Sequence, residues 1–289
     1  MINGLHCDPI IQKRFQFWYY CHSSAAPSVP AAAIMKRHLD LAVSRVEKTY
    51  SISMQRRIIV IGHSMGGILS KSLISSSGDD LWITAFRAPS AEFHLTPDQR
   101  NLMESAFRYS PRNYVKTVIF IATPHKGSKM ANGLPGRIGM ALARRPDEIE
   151  SLADAFTTRN RHLLQPDFAA FVEAGVNSIA TMRPDSPIAD VLVKLPIDPE
   201  VRFYNIAGVK RVSKEIGDGV VPLKSAIIPG AVADLVIQSK HRVHQTPGAA
   251  HWIKEILQHE AGMISEQEMK AALAPVLLSP ERLESLKSR

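Results

Sequence analysis

The sequence predicts an α/β fold with a mostly parallel sheet and helices on both faces, and three observations carry the prediction. Ile58-Ile-Val-Ile61 runs straight into Gly62-His-Ser-Met-Gly66, after which Ile68, Leu69, Ser70 and Lys71 begin a helical pattern. Val115 to Ala122 (Val-Lys-Thr-Val-Ile-Phe-Ile-Ala) is a buried-strand signal, and Val201 to Gly208 and Ala233 to Gln238 are two more strands. Helical periodicity separates these strands, which is the order of a doubly wound sheet. A length of 289 residues, with 45% hydrophobic and 21% charged residues, suffices for a large core and is ordinary folded composition.

The elements follow in order. Phe15 to Tyr20 (Phe-Gln-Phe-Trp-Tyr-Tyr) is an aromatic run of strand length, followed by a Ser/Ala/Pro loop from Ser23 to Pro30. Ala31 to Tyr50 reads as a helix, with Ile34, Leu39, Leu41, Ala42 and Val46 near helical spacing. The strand at Ile58 to Ile61 leads into a helix reaching about Ser75. Ser76 to Pro111 is polar and mixed, a helical excursion from the sheet, and Met130 to Pro199 carries helical patterns broken by Gly and Pro. Thr246 and Pro247 mark an N-cap and first helical position ahead of Trp252, Ile253, Ile256 and Leu257 on one face. Ser265-Glu-Gln-Glu268 fits a capping box opening a last helix. The chain is therefore read as one domain over 1–289, with insertions at 76–111 and 130–199 and a C-terminal helical extension over 262–289.

Gly-x-Ser-x-Gly between a strand and a helix is the context of a nucleophile elbow. The turn strains Ser64 and lifts its hydroxyl above the sheet, and the Met65 amide points at a developing oxyanion. Gly62 and Gly66 are expected where strand and helix pass too close for a side chain. A serine hydroxyl is not a nucleophile at neutral pH, so a histidine must accept its proton and a carboxylate must orient that histidine. Asp218, between Gly217 and Gly219 after the strand at 201–208, is the candidate acid. Ser239-Lys-His241-Arg-Val-His244 offers two bases just past the strand at 233–238; His241, nearer the strand end, is preferred and His244 is the alternative. His251 and His259 are expected on the surface of the following helix. His63 is expected beside the nucleophile and out of line with it, and His125 lining or packing under the site.

Composition narrows the partners. The net charge of +8 comes from scattered Lys and Arg with no interleaved aromatics and no nucleic-acid motif, which argues against nucleic acid. A solvated basic surface is the first reading and peripheral contact with anionic lipid the second. Cys7 and Cys21 are too few for a disulfide framework and lack metal spacing. No stretch approaches a membrane-spanning length, and Met1 to Pro9 lack the basic and apolar regions of a signal peptide.

Together, Gly-His-Ser-Met-Gly-Gly, Ile-Phe-Ile-Ala-Thr-Pro-His-Lys-Gly-Ser, Gly-Asp-Gly-Val-Val-Pro, and Ser-Lys-His ahead of Pro247 and a Glu-Ile-Leu helix resemble bacterial α/β-hydrolases of the lipase-like group. That group is similar to glycosylphosphatidylinositol inositol-deacylases and triacylglycerol lipases. The resemblance runs from about Phe15 to Leu257. It implies a serine esterase with Ser64, Asp218 and His241 as triad, Met65 in the oxyanion hole, no cofactor, a small-molecule or lipid ester as substrate, and a cap formed by 76–111 and 130–199. Rival expectations are an acyltransferase using the same triad and a catalytically silent binding protein.

The chain departs from that pattern at its start. Family members open with a strand ending in His-Gly, whose loop supplies the second oxyanion donor, and this sequence has no such segment. Phe15 to Tyr20 matches the strand after it, so the resemblance implies a truncated chain lacking three strands, with a gap inside the sheet between the Phe15 and Ile58 strands. Each buried backbone group left unpaired would cost about 1–3 kcal/mol. A lost oxyanion donor would cost about 100- to 1000-fold in turnover. The alternative is direct pairing of Phe15–Tyr20 with Ile58–Ile61 in a reduced fold.

Overall fold

The computed structural model describes residues 2–23, 25–128, 145–175, 181, 186–210 and 216–273. Among the described residues four strands form one sheet in the order β1 (Ile58–His63), β2 (Val115–Ile121), β3 (Arg202–Val209) and β4 (Ala233–Gln238), with every adjacent pair parallel. All carboxyl ends therefore lie at one end of the sheet, where open α/β sheets gather functional loops. The helices are α1 (Ile2–His6), α2 (Pro9–Arg14), α3 (Ser28–Tyr50), α4 (Met65–Lys71), α5 (Asp80–Ala85), α6 (Pro97–Phe107), α7 (Asp147–Thr158), α8 (Pro166–Glu173), α9 (Ala189–Lys194), α10 (Leu223–Ala226), α11 (Pro247–Glu260) and α12 (Glu266–Leu273). None of the described helices is long and apolar enough to cross a membrane.

Strand alternation splits the core in two. Val118, Phe120 and Phe203 face a cluster with Ala31 to Met35 of α3, Leu69 of α4 and Leu102 to Phe107 of α6. Ile119, Ile121, Tyr204 and Ile206 face the other way, onto Trp252 to Leu257 of α11, Met269 and Leu273 of α12, and Leu5 and Ile11. Helices on both faces explain why β2 is apolar throughout except at its margin. Capping follows the expected chemistry: Thr246 accepts from the Ala249 amide at 3.2 Å ahead of α11, and Ser265 and Glu268 bond reciprocally at the start of α12.

Within 76–111 lie α5 and α6; Phe86, Phe93 and Phe107 from this stretch pack on Phe156 of α7 and Phe168 of α8. An apolar slot lined by Phe107, Phe156, Phe168 and Phe171 lies in this layer, and none of Ser64, Asp218 or His241 lines it. Parts of the expected insertion at 130–199 and of the extension at 262–289, namely 130–144, 176–180, 182–185 and 274–289, lie outside the described residues.

Phe15–Tyr20 is a correction. The segment joins no ladder, neither beside β1 nor elsewhere among the described residues. Phe15 and Phe17 are half-buried against the α11-side core, whereas Trp18, Tyr19 and Tyr20 are exposed. Packing two aromatic rings on alternate residues calls for extended backbone without requiring a strand partner, and that accounts for the pattern. β1 is consequently an edge strand. Ile58 and Ser64 donate toward β2, to Tyr114 and Ile121 carbonyls at 2.8 Å, so alternation turns the N–H and C=O groups of Ile59, Ile61 and His63 away from it.

Candidate active site

Ser64 follows β1 with φ 54° and ψ −123°, a conformation that side chains rarely adopt. Its amide still bonds the Ile121 carbonyl, and its own carbonyl accepts from Gly67, so the turn is clamped from both sides. The amide of Met65 opens α4 and has no intrahelical acceptor. Close packing beneath the turn falls partly elsewhere than expected. A Cβ on Gly62 would lie 2.6 Å from Ser70 Oγ and 2.7 Å from the Gly66 carbonyl, as anticipated. One on Gly66 would meet nothing, whereas one on Gly67 would fall 1.9 Å from Thr123 Oγ1 at the end of β2. Gly67 is therefore the second residue that must lack a side chain.

The loop after β3 holds Asp218, which is 1% exposed. Its Oδ1 accepts from the amides of Val220 at 2.7 Å and Val221 at 2.8 Å. That leaves Oδ2 free to face outward, 2.8 Å from His241 Nδ1. The opposite ring nitrogen, His241 Nε2, lies 2.9 Å from Ser64 Oγ. The three predicted residues are thus joined in one hydrogen-bonded line. Backbone packing makes this convergence possible: Val243 is fully buried, and a Cβ on Gly208 of β3 would meet its Cγ2 at 2.6 Å and the Asp218 Cβ at 3.0 Å. The loop after β4 and the loop after β3 both close down on that bare glycine.

The other histidines sort cleanly. His244 reaches neither Ser64 nor Asp218; its ring packs on His63 with centroids 4.1 Å apart. Burial lowers the pKa of His244, and that of His63 to about 4. His125 packs under the site, edge-on to Phe120 at 4.6 Å between centroids, and burial pushes it down to about 3. His251 is exposed, while His259 is half-buried and bonds Arg202 and the Ile264 carbonyl. Two contacts had no signal in the sequence. His63 Nε2 donates to the His241 carbonyl at 2.9 Å, and Lys71, buried on α4, donates to the Leu192 and Val193 carbonyls near the end of α9 at 2.7 and 3.0 Å. A cation at a helix C-terminus is favourably placed. Burial lowers the pKa of Lys71 to about 8.

Among the described residues no cluster of His, Cys, Asp and Glu could hold a metal ion, and Cys7 and Cys21 are exposed and free. A nucleophile-capable hydroxyl, an acceptor imidazole and a buried carboxylate in line are the components of acyl transfer through a serine.

No curated protein matches the chain. Among solved structures, it is similar to a Bacillus licheniformis lipase, BlEst2, at 16% identity and a TM-score of 0.40. That likeness spans 81% of this chain, 75% of the mature lipase and 41% of the propeptide form. Lipase 1 from Pelosinus fermentans is similar at 12% identity and a TM-score of 0.36, over 64% of this chain and 65% of that one. Residues 12–83, which carry α3, β1, the strained serine and α4, match the model of the PGAP1-like alpha/beta domain family, so the part of the chain that builds the elbow is similar to that family.

Proposed function

We propose that the protein is a serine carboxylic-ester hydrolase of lipase or esterase type. The observation that carries this reading is the line from Asp218 Oδ2 through His241 to Ser64 Oγ, with steps of 2.8 and 2.9 Å, ending on a serine held at φ 54°. His241 Nε2 takes the hydroxyl proton as Ser64 Oγ attacks the ester carbonyl. Asp218 keeps the proton of the neutral imidazole on Nδ1 and stabilises the imidazolium that forms. The Met65 amide donates to the oxyanion of the tetrahedral intermediate. Collapse expels the alkoxide, which takes its proton from His241 and leaves an acyl-serine. Water then attacks through the same base, and the acid departs.

The test is labelling of the purified protein with a fluorophosphonate, a probe that reacts with base-activated serines. Wild type should label and Ser64→Ala should not, with hydrolysis of short-chain p-nitrophenyl esters lost in parallel. A folded wild type that neither labels nor turns over, or turnover that survives Ser64→Ala, would refute the proposal.

A further inference from the structure

His241 follows β4 and Ser64 follows β1, and among the described residues these strands are the two opposite edges of the sheet. Three inter-strand spacings separate them, about 14 Å. The base loop must therefore fold back across the top of the sheet and stay there. Asp218 anchors the ring of His241, but from the loop after β3: its Oδ1 accepts from the Val220 and Val221 amides and its Oδ2 faces the ring nitrogen, not the backbone.

The backbone anchor comes from the nucleophile strand itself. His63 Nε2 lies 2.9 Å from the His241 carbonyl oxygen. A carbonyl only accepts, so Nε2 carries the proton and the imidazole donates. The ring is fixed by its neighbours, with His244 at 4.1 Å and His241 at 4.9 Å between centroids. Burial holds its pKa near 4, so at neutral pH the ring is neutral and the His241 carbonyl selects the Nε2–H tautomer, which leaves Nδ1 without a proton. His63 and Ser64 are consecutive, so whatever fixes His241 to His63 also fixes the gap between base and nucleophile.

We propose that His63 is a positioning residue: its Nε2–H grips the backbone of His241 and holds the base over Ser64. The inference rests on the triad reading above and adds to it the group that brings loop and elbow into register. A displacement of about 1 Å at such a gap costs on the order of 100-fold in rate. The loss belongs in kcat rather than KM, because the bond acts on the base and not on bound ester.

The test compares His63→Leu with His63→Gln, whose amide nitrogen reaches about as far as Nε2 and also donates. Fluorophosphonate labelling rates are measured for both variants, with kcat and KM on a p-nitrophenyl ester. The leucine variant should lose about 10- to 100-fold in labelling rate and kcat, with KM within about twofold, and the glutamine variant should regain most of it. Independently of either variant, long-range 15N–1H spectra of the folded wild type should show His63 as the neutral Nε2–H tautomer at pH 7. A neutral Nδ1–H tautomer, a loss confined to KM, or equal losses in the two variants would overturn the proposal. If wild type labels and His63→Leu labels as fast, the triad stands and this inference alone falls. If wild type does not label, the triad reading has failed and takes this inference with it.

Discussion

Asp218→Asn is the substitution that separates shape from chemistry at this site. The amides of Val220 and Val221 both point at Oδ1, at 2.7 and 2.8 Å, so the asparagine must turn its carbonyl oxygen toward them. Its NH2 group then takes the place of Oδ2, 2.8 Å from His241 Nδ1, and can only donate. Nδ1 is forced to accept, which puts the imidazole proton on Nε2, facing Ser64 Oγ across 2.9 Å. A base already carrying that proton cannot take the serine's. On the proposed triad mechanism, the expected loss in kcat/KM is about 10⁴-fold at neutral pH, or roughly 5 kcal/mol of transition-state stabilisation. The fold should survive, because the side chains are isosteric and only charge-assisted hydrogen bonds weaken, at about 1 kcal/mol each. Steady-state hydrolysis of a p-nitrophenyl ester, read beside a thermal melt, distinguishes the two effects. A well-folded variant within about tenfold of wild type would refute the tautomer argument.

Two further outcomes concern stability. Gly67→Ala should destabilise by about 1–3 kcal/mol, because its Cβ would fall 1.9 Å from Thr123 Oγ1 and 2.8 Å from its Cβ; adding Thr123→Ala should recover only part, and urea unfolding with no loss for Gly67→Ala would contradict this. Lys36 on α3 is 1% exposed, donates to the Ser105 carbonyl at 3.3 Å and lies 3.4 Å from the Tyr109 ring centroid, yet burial depresses its pKa to about 6. Between pH 6 and 10.5 the unfolded chain holds a proton there that the folded chain does not, so stability rises with pH, by up to about 1.4 kcal/mol per unit. Unfolding free energies at pH 7 and 8 should show that rise in wild type, and Lys36→Met should be flatter and more stable at pH 7. A less stable methionine variant would mean that the buried amine is a net benefit.

The sequence was legible where one local rule had one structural outcome. β1, β2, β3 and β4 appear within a residue or two of the apolar runs, and Thr246-Pro247 and Ser265 to Glu268 cap helices as their chemistry demands. The hydrogen-bonded line through Ser64, His241 and Asp218 was foreseeable because chain order and strand ends limit where each residue can lie. Phe15–Tyr20 misled because alternation reports which side chains are buried and says nothing about backbone partners; two half-buried phenylalanines produce the same pattern as a ladder. Gly66 was credited with a contact that belongs to Gly67, since the partner, Thr123, is distant in sequence and touches only one of the two glycines. The bonds made by His63 and Lys71 were invisible for the same reason: both run to backbone carbonyls, which carry no residue identity to read.

The strain at the elbow also has a structural partner. Ser64 and Ala122 both have positive φ, 54° and 47°, and they sit at the carboxyl ends of the adjacent strands β1 and β2. Each such residue costs on the order of 1–3 kcal/mol and persists only where its surroundings fix it. Here one bond joins the first turn to the second. Ser64 donates to Ile121, the residue before Ala122, and Ala122 donates to Ile206 on the far side, so both remain within the sheet's ladder while turning out of it. Immediately after Ala122, Thr123 fills the space left by the missing side chain of Gly67. Relaxing the turn at Ala122 would displace the Ile121 carbonyl that Ser64 donates to and open a gap at Gly67. The serine is therefore held above the sheet by its neighbouring strand as much as by its own, which places β2 within the machinery that orients the hydroxyl toward His241.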